Sequence, residues 1–369
     1  MLSKLRLNSP GALARHCFRY SKGRFQFSST PLTNRSDSQL GAKDNPNLFE
    51  DEETETKTEE HVTRVKSLIG IVDLDSFRRD AWVPETPLLL QNFHNLPAMK
   101  KWFQHTRSWT SFSSYMQPYE YLLLPYELTV PEASPEEEDS ADNVLDCFLA
   151  WLYKSSEDQK PRLMISLDAI TQALRGDHPF RNSSGFQQFN APLGLIMSAS
   201  QFNKTQKEPS KRITSLYVAQ SDLNDLPGPL FQDLPVPDIV KYAGKGDIYN
   251  SSIWLGLQPT YTPLHRDPNP NLFCQLVGSK RVRLAAPDQG DDIYARVRTL
   301  LGSSGNSRLR GTEMMEGRER KLLEFAVEPL DEVLLKPGDG LFIPKGWWHH
   351  VVSNGDDGEL NASVNWWFR

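Results

Sequence analysis

Two short stretches carry the residues best suited to chemistry. "TPLHRDPNPN" (262–271) holds His265 and Asp267 two positions apart, and on an extended strand side chains alternate between faces, so this pair shares one face. "GLFIPKGWWHHVV" (340–352) holds His349 and His350 behind a proline-glycine turn. Alternation groups Trp347 with His349 and Trp348 with His350, so one histidine faces inward and the other outward; spacing does not say which. Two imidazoles and a carboxylate are the donor set that holds non-haem Fe(II) on one octahedral face, leaving three positions open. Zinc competes for such donors, but a closed structural zinc site has four protein ligands and this set supplies three. By itself a His-x-Asp is weak, since eight histidines produce one by chance about half the time.

The elements that must position these residues are read from texture. From residue 211 onward, strand-length segments alternate with proline, glycine and asparagine: "TSLYVAQ" (214–220), "SSIWLGLQ" (251–258), "NLFCQLV" (271–277), "KRVRLAA" (280–286) and "GLFIP" (340–344). Turns this frequent predict a barrel or jelly roll. "LVGSKRV" predicts a two-residue hairpin at Gly278-Ser279 that sets Val277 opposite Lys280. Before residue 211, "TPLLLQNF" (86–93) predicts a buried strand and "NLPAMKKWFQHTRSW" (95–109) a helix capped by Asn95 with Pro97 in its first turn. "PEASPEEEDSADN" (131–143) predicts a surface loop, and Val144, Leu145, Phe148, Leu149 and Leu152 share one face of a helix. The expected architecture is mostly β, with a helical and mixed front half (65–210) covering an all-β back half (211–369).

Composition narrows the function. The 369 residues carry a formal net charge of −6, which gives no whole-chain attraction to a phosphate backbone, so nucleic acid is not the expected partner. No apolar run reaches the roughly 18–20 residues of a membrane span. Cys17, Cys147 and Cys274 lie far apart in sequence, so they build neither a disulfide framework nor a zinc knuckle. Residues 1–36 are basic, serine-containing and free of acidic side chains, the composition of a mitochondrial transit peptide. Residues 37–64, with "EDEETETKTEE" (50–60), read as an acidic disordered linker.

Taken together, "TPLHRDPNPNLFCQLVGSKRVRLAAP" (262–287), "KPGDGLFIPKGWWHHVV" (336–352) and "NASVNWW" (361–367) resemble the JmjC family of Fe(II)- and 2-oxoglutarate-dependent oxygenases. They are most similar to its small hydroxylase branch, which includes the asparaginyl hydroxylase that inhibits hypoxia-inducible factor. The resemblance covers 211–369 and implies a double-stranded β-helix, that is, a cupin-like jelly roll. It also implies that His265, Asp267 and His349 ligate iron, His349 because the family's ligand follows the aromatic residue after "IP-x-x". Lys280, Thr262 and Tyr217 would hold the distal carboxylate of 2-oxoglutarate, and Asn271 and Asn365 would line the pocket near the metal. Alone, Tyr217 is an ordinary core tyrosine, Lys280 a solvated turn residue, and each asparagine a strand end. The four other tryptophan-rich positions, Trp347, Trp348, Trp366 and Trp367, read as packing.

The activity so implied consumes O₂ and 2-oxoglutarate, with ascorbate as a possible support, and releases succinate and CO₂. Hydroxylation of a protein side chain is favoured over lysine demethylation, because aspartate stands where many demethylases have glutamate and no cysteine-rich reader accompanies the barrel. Hydroxylation of a tRNA base and a turnover-free, cupin-like scaffold are the alternatives. Oligomeric state stays open.

Overall fold

The structure, a computed structural model, describes residues 65–130, 143–157, 161–175, 185–301, 317–327 and 330–369. The expectations for the transit peptide, the acidic linker and nearly all of the 131–143 loop fall outside them. Among the described residues no helix is long and apolar enough to cross a membrane.

The described residues form fifteen strands: β1 (Lys66–Ile69), β2 (Leu88–Gln91), β3 (Phe103–His105), β4 (Thr110–Phe112), β5 (Leu123–Val130), β6 (Gly185–Pro192), β7 (Leu216–Asp222), β8 (Ile248–Leu257), β9 (Tyr261–Arg266), β10 (Asn271–Val277), β11 (Ser279–Ala285), β12 (Asp331–Leu335), β13 (Gly340–Ile343), β14 (Trp348–Asn354) and β15 (Leu360–Phe368). A nine-stranded sheet runs β1-β2-β13-β10-β15-β8-β7-β5-β6, and a four-stranded sheet runs β12-β11-β14-β9. From β8 to β15 the chain shuttles between the two sheets, which is the winding of a jelly roll. Phe273, Val282, Leu284, Val333, Leu341 and Val351 pack between them.

The front half does more than cover this barrel. Leu88 and Leu90 are fully buried, and β2 joins β13 antiparallel while β5 and β6 lengthen the other edge through β7. The segments expected as strands in the back half are strands. Val144–Glu157 is the expected helix, with Phe148 and Leu152 fully buried.

Two local expectations are corrected. The helix at 95–109 is only Pro97–Lys101, with Leu96 as its N-cap. Trp102 is pinned by its indole to the Asp233 carboxylate at 3.0 Å, and Phe103 then opens the β3–β4 pair against Phe112. Tertiary contacts override a weak helical pattern there. Gly278-Ser279 is not a hairpin either. Val277 pairs with Ala362 in the large sheet, whereas Lys280 pairs with Leu335 and Ser353 in the small one. The chain turns a corner between sheets, and Gly278 is required because its φ is +66° and a Cβ would stand 2.7 Å from Asn361 Nδ2.

Candidate metal centre and co-substrate pocket

Register selects the inward histidine. β14 pairs with β9 so that His349 stands directly opposite His265, and directly opposed side chains of an antiparallel pair share a face. Asp267 follows just past the end of β9, where its carbonyl accepts a hydrogen bond from the Gly346 amide at 3.0 Å. The ligand atoms of His265, Asp267 and His349 all lie within 4.8 Å of one another. His265 Nε2 is 3.9 Å from Asp267 Oδ1 and His349 Nε2 is 3.6 Å from Asp267 Oδ2.

The ring orientations suit a metal. His265 Nδ1 meets the Pro263 carbonyl at 2.8 Å and His349 Nδ1 meets the Trp347 carbonyl at 3.2 Å. A carbonyl can only accept, so each Nδ1 carries a proton, and when the ring is neutral its Nε2 presents the lone pair to the cluster. Burial pushes the Asp267 carboxyl pKa up, but the two imidazoles and hydrogen bonds from Trp367 and Asn271 outweigh it, and the net shift is downward. His350 points to the other side of β14, against the Tyr261 ring. Neither of its ring nitrogens has a hydrogen-bond partner among the described residues, and burial brings its pKa down to about 3.

A chain of directed hydrogen bonds sets the carboxylate. Trp254 Nε1 donates to Asn365 Oδ1 (2.9 Å), Asn365 Nδ2 to Asn271 Oδ1 (3.1 Å), and Asn271 Nδ2 to Asp267 Oδ2 (3.1 Å). Trp367 Nε1 donates to the same Oδ2 at 2.7 Å. Asn271 and Asn365 thus both stand in the network behind the Asp267 carboxylate, while Trp367, read from sequence as packing, touches the cluster directly. The signal that could have found it is alternation along "NASVNWW", which places Trp367 on the face of Asn365.

Deeper in the barrel, Lys280 is 2% exposed and donates from Nζ to the Tyr217 hydroxyl at 3.1 Å. Tyr217 also hydrogen-bonds Thr262, and burial pushes its phenol pKa up. The ring of Tyr217 lies over Gly256, where a Cβ would stand 2.7 Å from Cδ2. The sequence reading gave that glycine no role, although a glycine amid large strand residues signals such an approach. Desolvation lowers the Lys280 pKa to about 7. One cavity of about 780 Å³ is lined by all eight sequence-predicted residues, His265, Asp267, His349, Lys280, Thr262, Tyr217, Asn271 and Asn365.

A jelly roll with a His–Asp–His cluster at one level of its cavity and a buried cation at another is the architecture of a cupin-type barrel. The chain belongs to the cupin-like domain family, whose model matches residues 74–369. It is similar to Lysine-specific demethylase JMJ30 of Arabidopsis thaliana, 30% identical over 174 residues that cover 47% of this chain and 38% of that protein. Jumonji C domain-containing protein 5 of Drosophila melanogaster is 33% identical over 165 residues, 44% of this chain and 39% of that protein. Lysine-specific demethylase 8 of Danio rerio is 33% identical over 154 residues, 41% and 36% respectively. The matches thus span well under half the length of these relatives.

Proposed function

We propose that the chain is an Fe(II)- and 2-oxoglutarate-dependent dioxygenase acting on a side chain of a protein substrate. The observation that carries this reading is the pairing, in one cavity, of three metal donors with a buried ammonium that has no carboxylate at ion-pair distance among the described residues. Such an ammonium calls for an anionic ligand, and a dicarboxylate can span from metal to lysine. The JmjC names of the relatives point the same way.

In this reading His265, Asp267 and His349 hold the iron through two Nε2 atoms and a carboxylate oxygen. Lys280, Tyr217 and Thr262 clamp the far carboxylate, and Trp254, Asn365, Asn271 and Trp367 keep Asp267 from rotating. Bound iron supplies the redox chemistry: O₂ and 2-oxoglutarate become succinate and CO₂, one oxygen atom enters succinate, and the other enters a substrate C–H bond.

A stable alcohol is the product at a carbon side chain. At an N-methyl carbon the same insertion gives a hemiaminal that falls to formaldehyde and the free amine. Hydroxylation is supported by Asp267 in the His-x-Asp motif, and demethylation by the names of two of the relatives, both lysine-specific demethylases. Purified protein with Fe(II), ascorbate and 2-oxoglutarate should release succinate above background, and His265→Ala should not. Background succinate in both, with no binding of iron or 2-oxoglutarate, would overturn the proposal. Mass spectrometry of mitochondrial proteins treated with the enzyme then reads the outcome, as gain of one oxygen or as methyl loss with formaldehyde. Mitochondrial location belongs to the same proposal, and a carboxy-terminal fluorescent tag with and without residues 1–36 tests it.

A further inference from the structure

The turn at 344–347, "PKGW", connects β13 to β14 and bears on two of the three metal donors. It is closed by the Trp347 amide on the Pro344 carbonyl at 3.3 Å. The Gly346 amide donates to the Asp267 carbonyl at 3.0 Å, and the Trp347 carbonyl accepts from His349 Nδ1 at 3.2 Å. Asp267 follows β9 and His349 belongs to β14, so one turn fixes donors of two strands relative to each other.

This turn is tied to the front half of the chain. Trp347, read from sequence as packing, joins Val65 and Leu89 against the apolar cluster between the sheets, and its indole Nε1 donates to the Glu85 carbonyl at 3.0 Å. Glu85 has a φ of +51°, a left-handed conformation that a side chain with a Cβ adopts at a cost and only where its surroundings dictate it. Those surroundings are a closed bend. The Thr86 amide donates to the Ala81 carbonyl at 3.1 Å, the Thr86 hydroxyl to the Asp80 carbonyl at 3.2 Å, and the Asp80 carboxylate meets Lys66 Nζ of β1 at 3.0 Å. The indole is therefore held by a fixed backbone group. The bend leads into β2, which pairs with β13, the strand that enters the turn.

We propose that Trp347 is a positioning residue for the metal centre: its indole anchors the 344–347 turn to the front half, and the turn sets the tilt of the His349 imidazole and the placement of Asp267. This rests on the reading of His265, Asp267 and His349 as metal ligands. The contacts run from the Glu85 carbonyl to the Trp347 indole, and from the Trp347 carbonyl to His349 Nδ1, so the front half acts on the cluster without touching it.

Co(II) serves as the probe, because its visible absorption reports ligand geometry as well as occupancy. The full chain is titrated without oxygen as wild type, as Trp347→Phe, and with 3-benzothienylalanine at position 347, which exchanges the indole N–H for sulfur in a ring of nearly the same shape. Both replacements should weaken Co(II) binding by about fivefold, the worth of one neutral hydrogen bond, and should shift the absorption bands at saturation. Leu89→Ala thins the same apolar cluster and leaves the indole bond in place. It should lower Tm while keeping Co(II) affinity within about twofold and the spectrum unchanged. Affinity within about twofold of wild type together with an unchanged spectrum in the benzothienylalanine protein overturns the proposal, and so does a loss in Leu89→Ala as large as that in Trp347→Phe. Wild-type protein that takes up no Co(II) sinks the metal-centre reading itself, whereas equal uptake by all four proteins sinks the positioning role alone.

Discussion

Lys280 Nζ and the Tyr217 hydroxyl lie 3.1 Å apart inside the barrel, although the residues come from strands of different sheets. An ammonium removed from water and given, among the described residues, a phenol hydroxyl and aromatic faces but no carboxylate is held at a cost, and a ligand carboxylate relieves it. Lys280→Met should therefore leave the ligand-free protein no less stable. It should also abolish the rise in Tm that 2-oxoglutarate gives the Mn(II)-loaded wild type. Melting curves with and without 2-oxoglutarate check both, and a ligand-induced rise that persists in Lys280→Met would remove the lysine from the clamp.

The same amine gives a pH dependence. Burial lowers its pKa from 10.5 to about 7, so between about pH 7 and 10.5 the unfolded chain holds a proton that the folded chain has lost. Stability from this group therefore rises with pH across that window, and the penalty is fully present below it. Ligand affinity runs the opposite way, because the carboxylate needs the ammonium. The dissociation constant for 2-oxoglutarate should weaken by about tenfold per pH unit above 7. In Lys280→Arg the slope should vanish, since guanidinium stays charged. Calorimetric titrations from pH 6.5 to 9 decide it, and a flat wild-type profile refutes the assignment.

What could be read beforehand follows from which forces are local. The shared face of His265 and Asp267 needs only strand periodicity, and "KRVRLAA" places Lys280 on the same side as Val282 and Leu284 by the same rule. The choice between His349 and His350 needs the β9–β14 register, a long-range fact, and only family resemblance anticipated it. Gly278 looked like hairpin chemistry because the local signal for a tight turn does not reveal that the flanking strands leave for different sheets. The helix at 95–109 failed for a related reason, since an aspartate more than a hundred residues away holds Trp102. Glu127, which also lines the cavity, was silent because nothing local distinguishes a cavity-facing glutamate from one in solvent.

His349→Ala and His350→Ala separate the metal side of β14 from its back. Loss of His349 removes one of three donors, and metal affinity should fall by at least about a hundredfold, a two-donor site being much weaker. His350 contacts Tyr261 and its side chain makes no hydrogen bond among the described residues, so His350→Ala should keep metal affinity within about threefold while lowering stability by about 1–3 kcal/mol through the cavity it leaves. Metal titrations alongside denaturant melts give both numbers. A loss of metal in His350→Ala with retention in His349→Ala would reverse the assignment.

Trp367 tests how the carboxylate is aimed. Its indole N–H and the Asn271 amide both donate to Asp267 Oδ2, at 2.7 and 3.1 Å, which leaves Oδ1 towards His265. Trp367→Phe keeps an aromatic ring but deletes the shorter of the two bonds, so the carboxylate gains freedom to rotate and loses part of the stabilisation of its charged form. Outer-sphere partners of this kind are worth about 10–100-fold in metal affinity, and a drop of about tenfold is expected in a metal titration. The Lys280–Tyr217–Thr262 clamp is untouched by the change. At saturating Mn(II), 2-oxoglutarate affinity should thus move by less than about threefold. Metal affinity within about twofold of wild type would mean that the indole only fills space, and the orientation of Asp267 would then fall to Asn271 and the tryptophan–asparagine chain behind it.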